Sequence, residues 1–147
     1  MNILITAASA AQAHKLSRFL NTEKNIFLGD SVDLPVVGFE DITFVKIPPA
    51  NHASFSHLLL AQCLDLKIEA IYPLKKTEVL ALAEARLLFD EYGIIIMVPD
   101  RRTVENYFSI KTIKGEIIKI DEECGDPDRG VFVIDPETNM LKLFTAD

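Results

Sequence analysis

The sequence predicts a three-layer α/β/α fold around an open, mostly parallel sheet, followed by a β-hairpin extension. Apolar runs of strand length alternate with amphipathic segments of helix length over the first hundred residues, which predicts βαβ units. Residues 68–72 and 94–98 are apolar at nearly every position, which is typical of parallel strands covered on both faces. From residue 110 onward, short alternating runs are separated by Gly and Pro turns, which indicates hairpins.

The predicted elements follow one another as strand and helix. Pro, Gly and Asp stop the strands, and apolar side chains at three- and four-residue spacing mark the helices. The predicted strands are residues 2–6, 25–29, 43–47, 68–72 and 94–98. The predicted helices are residues 12–23, 53–67 and 77–92, with a short fourth helix from 100 to about 107. Thr77 is placed as an N-cap, and Gly93 as the residue that ends the third helix.

The same spacing assigns an inward side to the first two helices. These apolar side chains should face the sheet because they recur with the helical period. They are Ala13, Leu16, Phe19 and Leu20 in the first helix, and Phe55, Leu58, Leu59 and Leu66 in the second. We expect residues 1–109 to form one α/β domain. The β-rich extension, residues 110–147, should pack on that domain or on a partner subunit.

Composition restricts the classes of function. The net charge of −7 argues against a nucleic-acid-binding surface, which needs a basic face. No stretch reaches the 18 or more apolar residues of a membrane helix, and no basic segment precedes the first apolar run, as a signal peptide requires. Cys63 and Cys124 lie far apart outside any CxxC pattern, so we expect free thiols and a cytoplasmic protein.

The turn between the first strand and the first helix contains only Ala and Ser, in the segment Ala7-Ala8-Ser9-Ala10-Ala11. Nucleotide-binding folds place a Gly-rich phosphate loop here. Ala and Ser resist positive φ by about 1 kcal/mol or more, which disfavours a tight pyrophosphate loop. Two interpretations stay open: a plain turn filled for packing, or a weak anion site through the amides before Gln12. The candidate ligand residues are Ala8, Ser9, Ala10 and Gln12.

Four polar residues follow the second and fourth strands at the same predicted edge. Asp30 ends the second strand about 20 residues past the turn, where a dinucleotide-binding fold has its ribose-binding acid; the alternative is a loop cap. Lys75, Thr77 and Glu78 follow the fourth strand, where they could hold a carboxylate or phosphate. The alternative there is an ordinary helix start with solvated lysines.

No catalytic residue, metal ligand or cofactor is predicted. His14, His52 and His57 lack metal-ligand spacing, and no GxSxG nucleophile motif is present. The acidic residues between 121 and 128 lack the register of a calcium loop and are interpreted as a charged turn. Arg101 and Arg102 follow the fifth strand, either as an anion clamp or as surface charges.

Several segments resemble the pre-ATP-grasp domain, the reduced Rossmann-like module at the N-terminus of ATP-grasp ligases such as biotin carboxylase and the carbamoyl-phosphate synthetase large chain. The resemblance covers the first 108 residues. The matching segments are ILITAAS at 3–9, LGD at 28–30, VKIPPA at 45–50, IEAIYP at 68–73 with Glu78, and GIIIMVP at 93–99. Two departures stand out: the turn lacks glycine, and the 39 residues after Phe108 are too few for the domain that holds ATP in that family.

The resemblance implies a fold and a ligand-facing edge without ATP hydrolysis. We therefore expect a non-catalytic accessory or interaction module, a homodimer or a protein that binds another protein. The alternative is a small-molecule binder, for a nucleotide, carboxylate or phosphate, that uses the carboxyl ends of the strands; it could be a subunit of a split ATP-grasp ligase. In that case the ligand is small and anionic.

Overall fold

The computed structural model describes residues 1–20, 25–34, 42–110, 113, 115–120 and 129–147. Its strands are β1 (Asn2–Ile5), β2 (Asn25–Asp30), β3 (Ile42–Lys46), β4 (Ile68–Tyr72), β5 (Ile95–Ile96), β6 (Ile117–Ile120), β7 (Gly130–Ile134) and β8 (Leu141–Leu143). Its helices are α1 (Ala11–Leu20), α2 (Phe55–Asp65), α3 (Lys76–Glu84) and α4 (Arg86–Glu91), with a 3₁₀ turn at Val104–Tyr107. The predicted end of the first helix at Glu23, the acidic run at 121–128 and Cys124 lie outside the described residues.

The first five strands form one parallel sheet in the order β3-β2-β1-β4-β5. The chain moves outward from β1 to β3, then crosses back through α2 to β4 on the other side of β1. All five strands point the same way, so their carboxyl ends share one edge, here called the carboxyl edge. The order reverses between β1 and β4, which is where open α/β sheets bind ligands.

Helices cover both faces of this sheet, and the Rossmann-like three-layer prediction is confirmed. α2, α3 and α4 pack on one face around residues such as Leu59, Val79 and Phe89. α1 packs on the other face through Leu16, together with Val133 of the second sheet. These apolar contacts explain why β4 is buried along most of its length.

The second sheet is antiparallel, with strand order β6-β7-β8, and its contacts join it to the parallel domain. Phe132 of β7 stacks edge-on against Tyr107 with ring centroids 5.0 Å apart. The buried Arg129 guanidinium donates to the Asp90 carboxylate at 3.3 Å and to the Ile96 carbonyl at 3.5 Å. On the opposite side, the Lys15 ammonium lies 5.9 Å from the centre of the Phe144 ring.

Two predicted elements are shorter than their sequence pattern suggested. The third helix is divided at Ala85, whose N–H bonds the Leu82 carbonyl in a tighter turn. The fifth strand ends at Ile96 because the Val98 N–H bonds the Ile96 carbonyl, and a γ-turn of this kind takes the chain out of the ladder. Gly93 has the positive φ of 75° expected of a residue that ends a helix.

Three details of the predicted helices were wrong. Phe19 is 50% exposed because the buried side of α1 is set by residues 13, 16, 17 and 20. Leu58 is 46% exposed for the same reason, since α2 buries residues 55, 59, 60 and 63. The N-cap of α3 is Lys75 rather than Thr77, and it makes no side-chain capping bond.

None of the helices in the described part of the chain has the length and apolar character needed to cross a membrane. Cys63 is a free, buried cysteine. Burial raises the pKa of its thiol to about 12, so this sulfur stays protonated at neutral pH and is a poor nucleophile.

Candidate functional site

The turn between β1 and α1 lies at the carboxyl edge, and its backbone amides are used inside the protein. The Ala8 N–H donates to the Gly29 carbonyl at 3.1 Å, and the Ala10 N–H to the Ala7 carbonyl at 2.9 Å. Between them, the Ser9 N–H donates to Asp30 Oδ2 at 3.2 Å. Three consecutive amides that a phosphate loop would offer to its ligand are therefore already engaged.

Ala7 adopts a φ of 57°, although alanine disfavours the left-handed region. The side chains of Ala7 and Ala8 are almost fully buried, and the hydrogen bonds around them hold the turn in place. The absence of glycine therefore does not prevent a positive φ at this position. The surrounding contacts offset a conformational cost of about 1 kcal/mol.

Asp30 is completely buried at the end of β2, and four donors surround its carboxylate. The Ser9 hydroxyl donates at 2.7 Å and the Ser9 N–H at 3.2 Å to Oδ2. The Ser31 N–H donates at 2.8 Å and the Lys75 ammonium at 2.9 Å to Oδ1. A carboxylate with this set of partners is unavailable to the hydroxyls of a ribose ring.

The electrostatics of Asp30 follow from these contacts. Burial by itself raises its pKa, but the hydrogen bonds from Lys75 and Ser9 outweigh burial and lower the pKa to about 2. The ammonium of Lys75, in the loop after β4, reaches across β1 to make this pair. Burial by itself lowers the pKa of Lys75, but the hydrogen bond to Asp30 and the nearby negative charges together outweigh burial, and the pKa lies above its ordinary value. Both groups are charged at neutral pH.

Glu78 is the second buried acid at this edge, and only 2% of it is exposed. It occupies the third position of α3, from which a Glu side chain can reach back to the N-cap backbone. Burial raises the pKa of Glu78, and a hydrogen bond from Thr6 and the positive charge of Lys75 oppose that rise. Its Oε1 atom has no hydrogen-bond partner among the described residues.

A cavity of about 370 Å³ opens beside Glu78 at the carboxyl edge; we call it the edge cavity. It lies between the ends of β2 and β3 and the start of α3. Its lining residues are Ser31, Pro49, Ala50, Asn51, Lys75, Thr77 and Glu78. Next to it, the Asp147 carboxylate accepts the Lys76 N–H at 3.0 and 3.3 Å and so occupies an amide at the N-terminus of α3.

The structure brings Ser9, Asp30, Lys75 and Glu78 together at the carboxyl edge, with Thr77 beside Lys75 and Glu78. Ala8 and Ala10 contribute backbone bonds within the turn. Thr77 lines the edge cavity, whereas Gln12 is half-buried in the first turn of α1 and does not line it.

Arg101 pairs with Glu84 and Glu105 at 3.3 and 3.4 Å rather than facing this site. Sequence reasoning missed Thr6, Asn51 and Asp147. Only Thr6 had a signal, since it is the polar residue directly after an apolar strand. Its hydroxyl accepts the Leu74 N–H at 2.8 Å and thereby ties the end of β1 to the loop after β4.

Comparisons with known proteins find partial similarity to solved structures. No protein-family model matches the sequence, and no curated protein matches it. A mutated uronate dehydrogenase is similar at 15% identity and a TM-score of 0.48, over 85% of this chain and 46% of that one. A wide-type short-chain dehydrogenase/reductase from Veillonella parvula, solved with NADP, is similar at 13% identity and a TM-score of 0.43, over 74% of this chain and 51% of that one.

A short-chain dehydrogenase family protein from Francisella tularensis is similar at 15% identity and a TM-score of 0.41, over 67% of this chain and 48% of that one. The chain thus spans about half the length of each of these proteins. The more specific resemblance to a pre-ATP-grasp module stays a prediction.

Proposed function

We propose that this protein binds a small polar molecule in the edge cavity and acts as a binding domain rather than as an enzyme by itself. The observation that carries the proposal is Glu78, which lines the cavity and whose buried Oε1 atom has no hydrogen-bond partner within the described ranges of the chain. An unpaired buried polar atom costs about 1–3 kcal/mol, and native proteins rarely retain one without a reason. A ligand with a hydrogen-bond donor would supply the missing partner.

The size and position of the cavity favour a ligand smaller than a dinucleotide. Its volume of about 370 Å³ is near the lower limit of about 300 Å³ for small-molecule sites. A dinucleotide would also need the amides of the β1–α1 turn and a free Asp30 carboxylate. The amides of residues 8–10 and the Asp30 carboxylate are engaged within the protein. We therefore assign binding to Lys75, Thr77 and Glu78, and a supporting role to Ser9 and Asp30.

A ligand screen with two matched variants tests this proposal. Mononucleotides, amino acids, acyl phosphates and diamines are added at millimolar concentration, and the melting temperature is recorded. At a ligand concentration of 100 Kd, binding should stabilise the fold by about 2.7 kcal/mol. Asn51→Trp, placed in the lining of the cavity, should abolish the effect, whereas Ala53→Trp, exposed two residues further on, should preserve it.

Two outcomes of the screen count against the edge cavity. If no class of compound stabilises the wild type, the proposed binding function fails. If a compound stabilises the wild type and Asn51→Trp equally, the protein binds it at another place.

A second proposed function is the accessory role, in which a pre-ATP-grasp-like module assembles as a homodimer in the cytoplasm. The observation that favours it is the outer strand β8, whose first residue Leu141 is exposed together with Met140 just before it. An edge strand with exposed apolar residues can pair with the same strand of a second copy. In this proposal residues 110–147 form the assembly segment, and residues 1–109 form the domain that it serves, as in a split ligase.

Light scattering after size-exclusion chromatography tests the accessory role. The wild type should elute as a dimer and Leu141→Lys as a monomer, because a charge on an edge strand opposes pairing. Glu137→Lys, in the exposed loop before β8, is the control and should remain a dimer. A wild type that is monomeric at all concentrations would reject this arrangement.

A further inference from the structure

We infer that the edge cavity recognises its ligand through a protonated amine, with the Glu78 carboxylate as the acceptor. The inference rests on the proposed small-molecule site and specifies the class of ligand. It depends on which of the charged groups around the cavity already have partners.

Two positively polarised groups near the cavity already interact with carboxylates of the protein. The Lys75 ammonium lies 2.9 Å from the buried Asp30 carboxylate, and this pair holds the ammonium toward β2. The N–H of Lys76, at the start of α3, is covered by the Asp147 carboxylate at 3.0 Å. Two groups that would attract an anionic ligand, this cation and this helix amide, therefore interact with acids of the same chain.

A hydrogen-bond acceptor at the cavity lacks a partner among the described residues. Oε1 of Glu78 is buried without a partner in the described part of the chain, and Asp30 neutralises Lys75, the nearest cation. An ionised Glu78 therefore leaves negative charge in excess around the cavity, with Asp147 adding to it. A carboxylate or phosphate ligand would be repelled, whereas an ammonium group offers three N–H donors and the complementary charge.

The chemistry of the lining fits an amine with a short polar or apolar chain. Pro49 and Ala50 give the cavity an apolar wall, and Ser31, Asn51 and Thr77 provide hydroxyl and amide groups near its opening. Thr6 and Lys75 hold the Glu78 carboxyl from the protein side, so its free oxygen is fixed before a ligand arrives. Preorganisation of this kind reduces the entropy lost on binding.

A matched set of three probes tests the charge preference: n-butylamine, n-butanol and butyrate, which share a chain and differ in charge. Backbone amide NMR signals are followed during titration at pH 7, since such signals report weak binding. The amine should shift the signals of Ala50, Asn51 and Thr77, and butyrate should leave them unchanged. Glu78→Gln should weaken amine binding about tenfold or more, because a charge-assisted hydrogen bond is lost.

Glu84→Gln is the matched control, because Glu84 lies on the same helix with its side chain about two-thirds exposed; amine binding should be unchanged in it. A second measurement needs no variant: the side-chain carboxyl ¹³C signal of Glu78 should shift when butylamine is added, because its Oε1 atom gains a charged hydrogen-bond donor. Amine binding that is undiminished in Glu78→Gln, or a ¹³C signal that stays in place, overturns the inference.

The result also separates this inference from the proposed function. If butyrate or inorganic phosphate shifts the cavity signals and the amine does not, the site binds a small molecule but prefers anions, so the inference alone fails. If none of the three probes nor phosphate shifts the signals, and the wider ligand screen is also negative, both fail together.

Discussion

The buried pair between Asp30 and Lys75 should make the stability of this protein depend on pH in the acid range. The pKa of Asp30 falls from its ordinary value of 3.8 to about 2 in the folded protein. A lowered folded-state pKa means that the stabilisation is fully present above pH 4 and is lost as pH falls toward 2. At about 1.36 kcal/mol for each pKa unit, this group contributes about 2 kcal/mol at neutral pH.

The perturbation is Asp30→Asn, and the assay is urea denaturation at pH 7, 5, 3 and 2. At pH 7 the variant should have a free energy of unfolding lower by about 2 kcal/mol. The reason is that the neutral Asn amide accepts the hydrogen bond from the Lys75 ammonium less strongly than a carboxylate does. The difference between wild type and variant should shrink as pH falls, since protonation removes the same charge from the wild type.

Asp33→Asn provides the control, because Asp33 also pairs with a lysine at 2.9 Å, that of Lys46, but lies in solvent with its side chain 94% exposed. Exposed pairs contribute little to stability, so this variant should unfold at the same urea concentration as the wild type. The reasoning would be refuted by an Asp30→Asn variant that matches the wild type at pH 7, or by a difference that stays constant from pH 7 to 2.

Two further predictions concern Glu78 and Lys67. Burial raises the pKa of Glu78, so ionisation of this carboxyl lowers the stability of the fold as pH rises above the pKa of the unfolded state. Glu78→Gln should therefore raise the melting temperature at pH 7 and leave it unchanged at pH 4. Glu84→Gln is the exposed control. Lys67 ends α2 at a φ of 57°, so Lys67→Gly should stabilise the fold by about 0.5–1 kcal/mol in urea denaturation. Lys67→Ala should give no such gain.

The sequence by itself determined the order of the elements and the edge at which the polar residues meet. Strand 68–72 is recognisable because a parallel strand covered on both faces is apolar at nearly every position, and its predicted bounds agree with β4. Asp30 and the segment from Lys75 to Glu78 follow β2 and β4, so a parallel arrangement already places them at one edge. Gly93 was predicted correctly because the turn after a helix needs a positive φ.

Boundaries and faces were less predictable. The division of the third helix at Ala85 and the end of β5 at Ile96 have no breaker residue in the sequence, because local backbone bonds decide them. The exposed Phe19 shows a related difficulty. In a short helix, the apolar residues are compatible with either of two neighbouring faces being buried. Only packing against the sheet decides that residues 13, 16, 17 and 20 form the buried face.

Tertiary structure alone decided which acid at the carboxyl edge has its oxygens satisfied by hydrogen bonds. The partners of Asp30 include Ser9 and Lys75, which lie 21 and 45 residues away in the chain. Glu78 keeps one buried oxygen without a described partner. Residue type and spacing make the two carboxyls look alike. They differ because long-range hydrogen bonds satisfy both oxygens of Asp30, whereas Glu78, beside a cavity, keeps one oxygen without a described partner. The bonds to Asp30 form only when β1, β2 and β4 lie side by side.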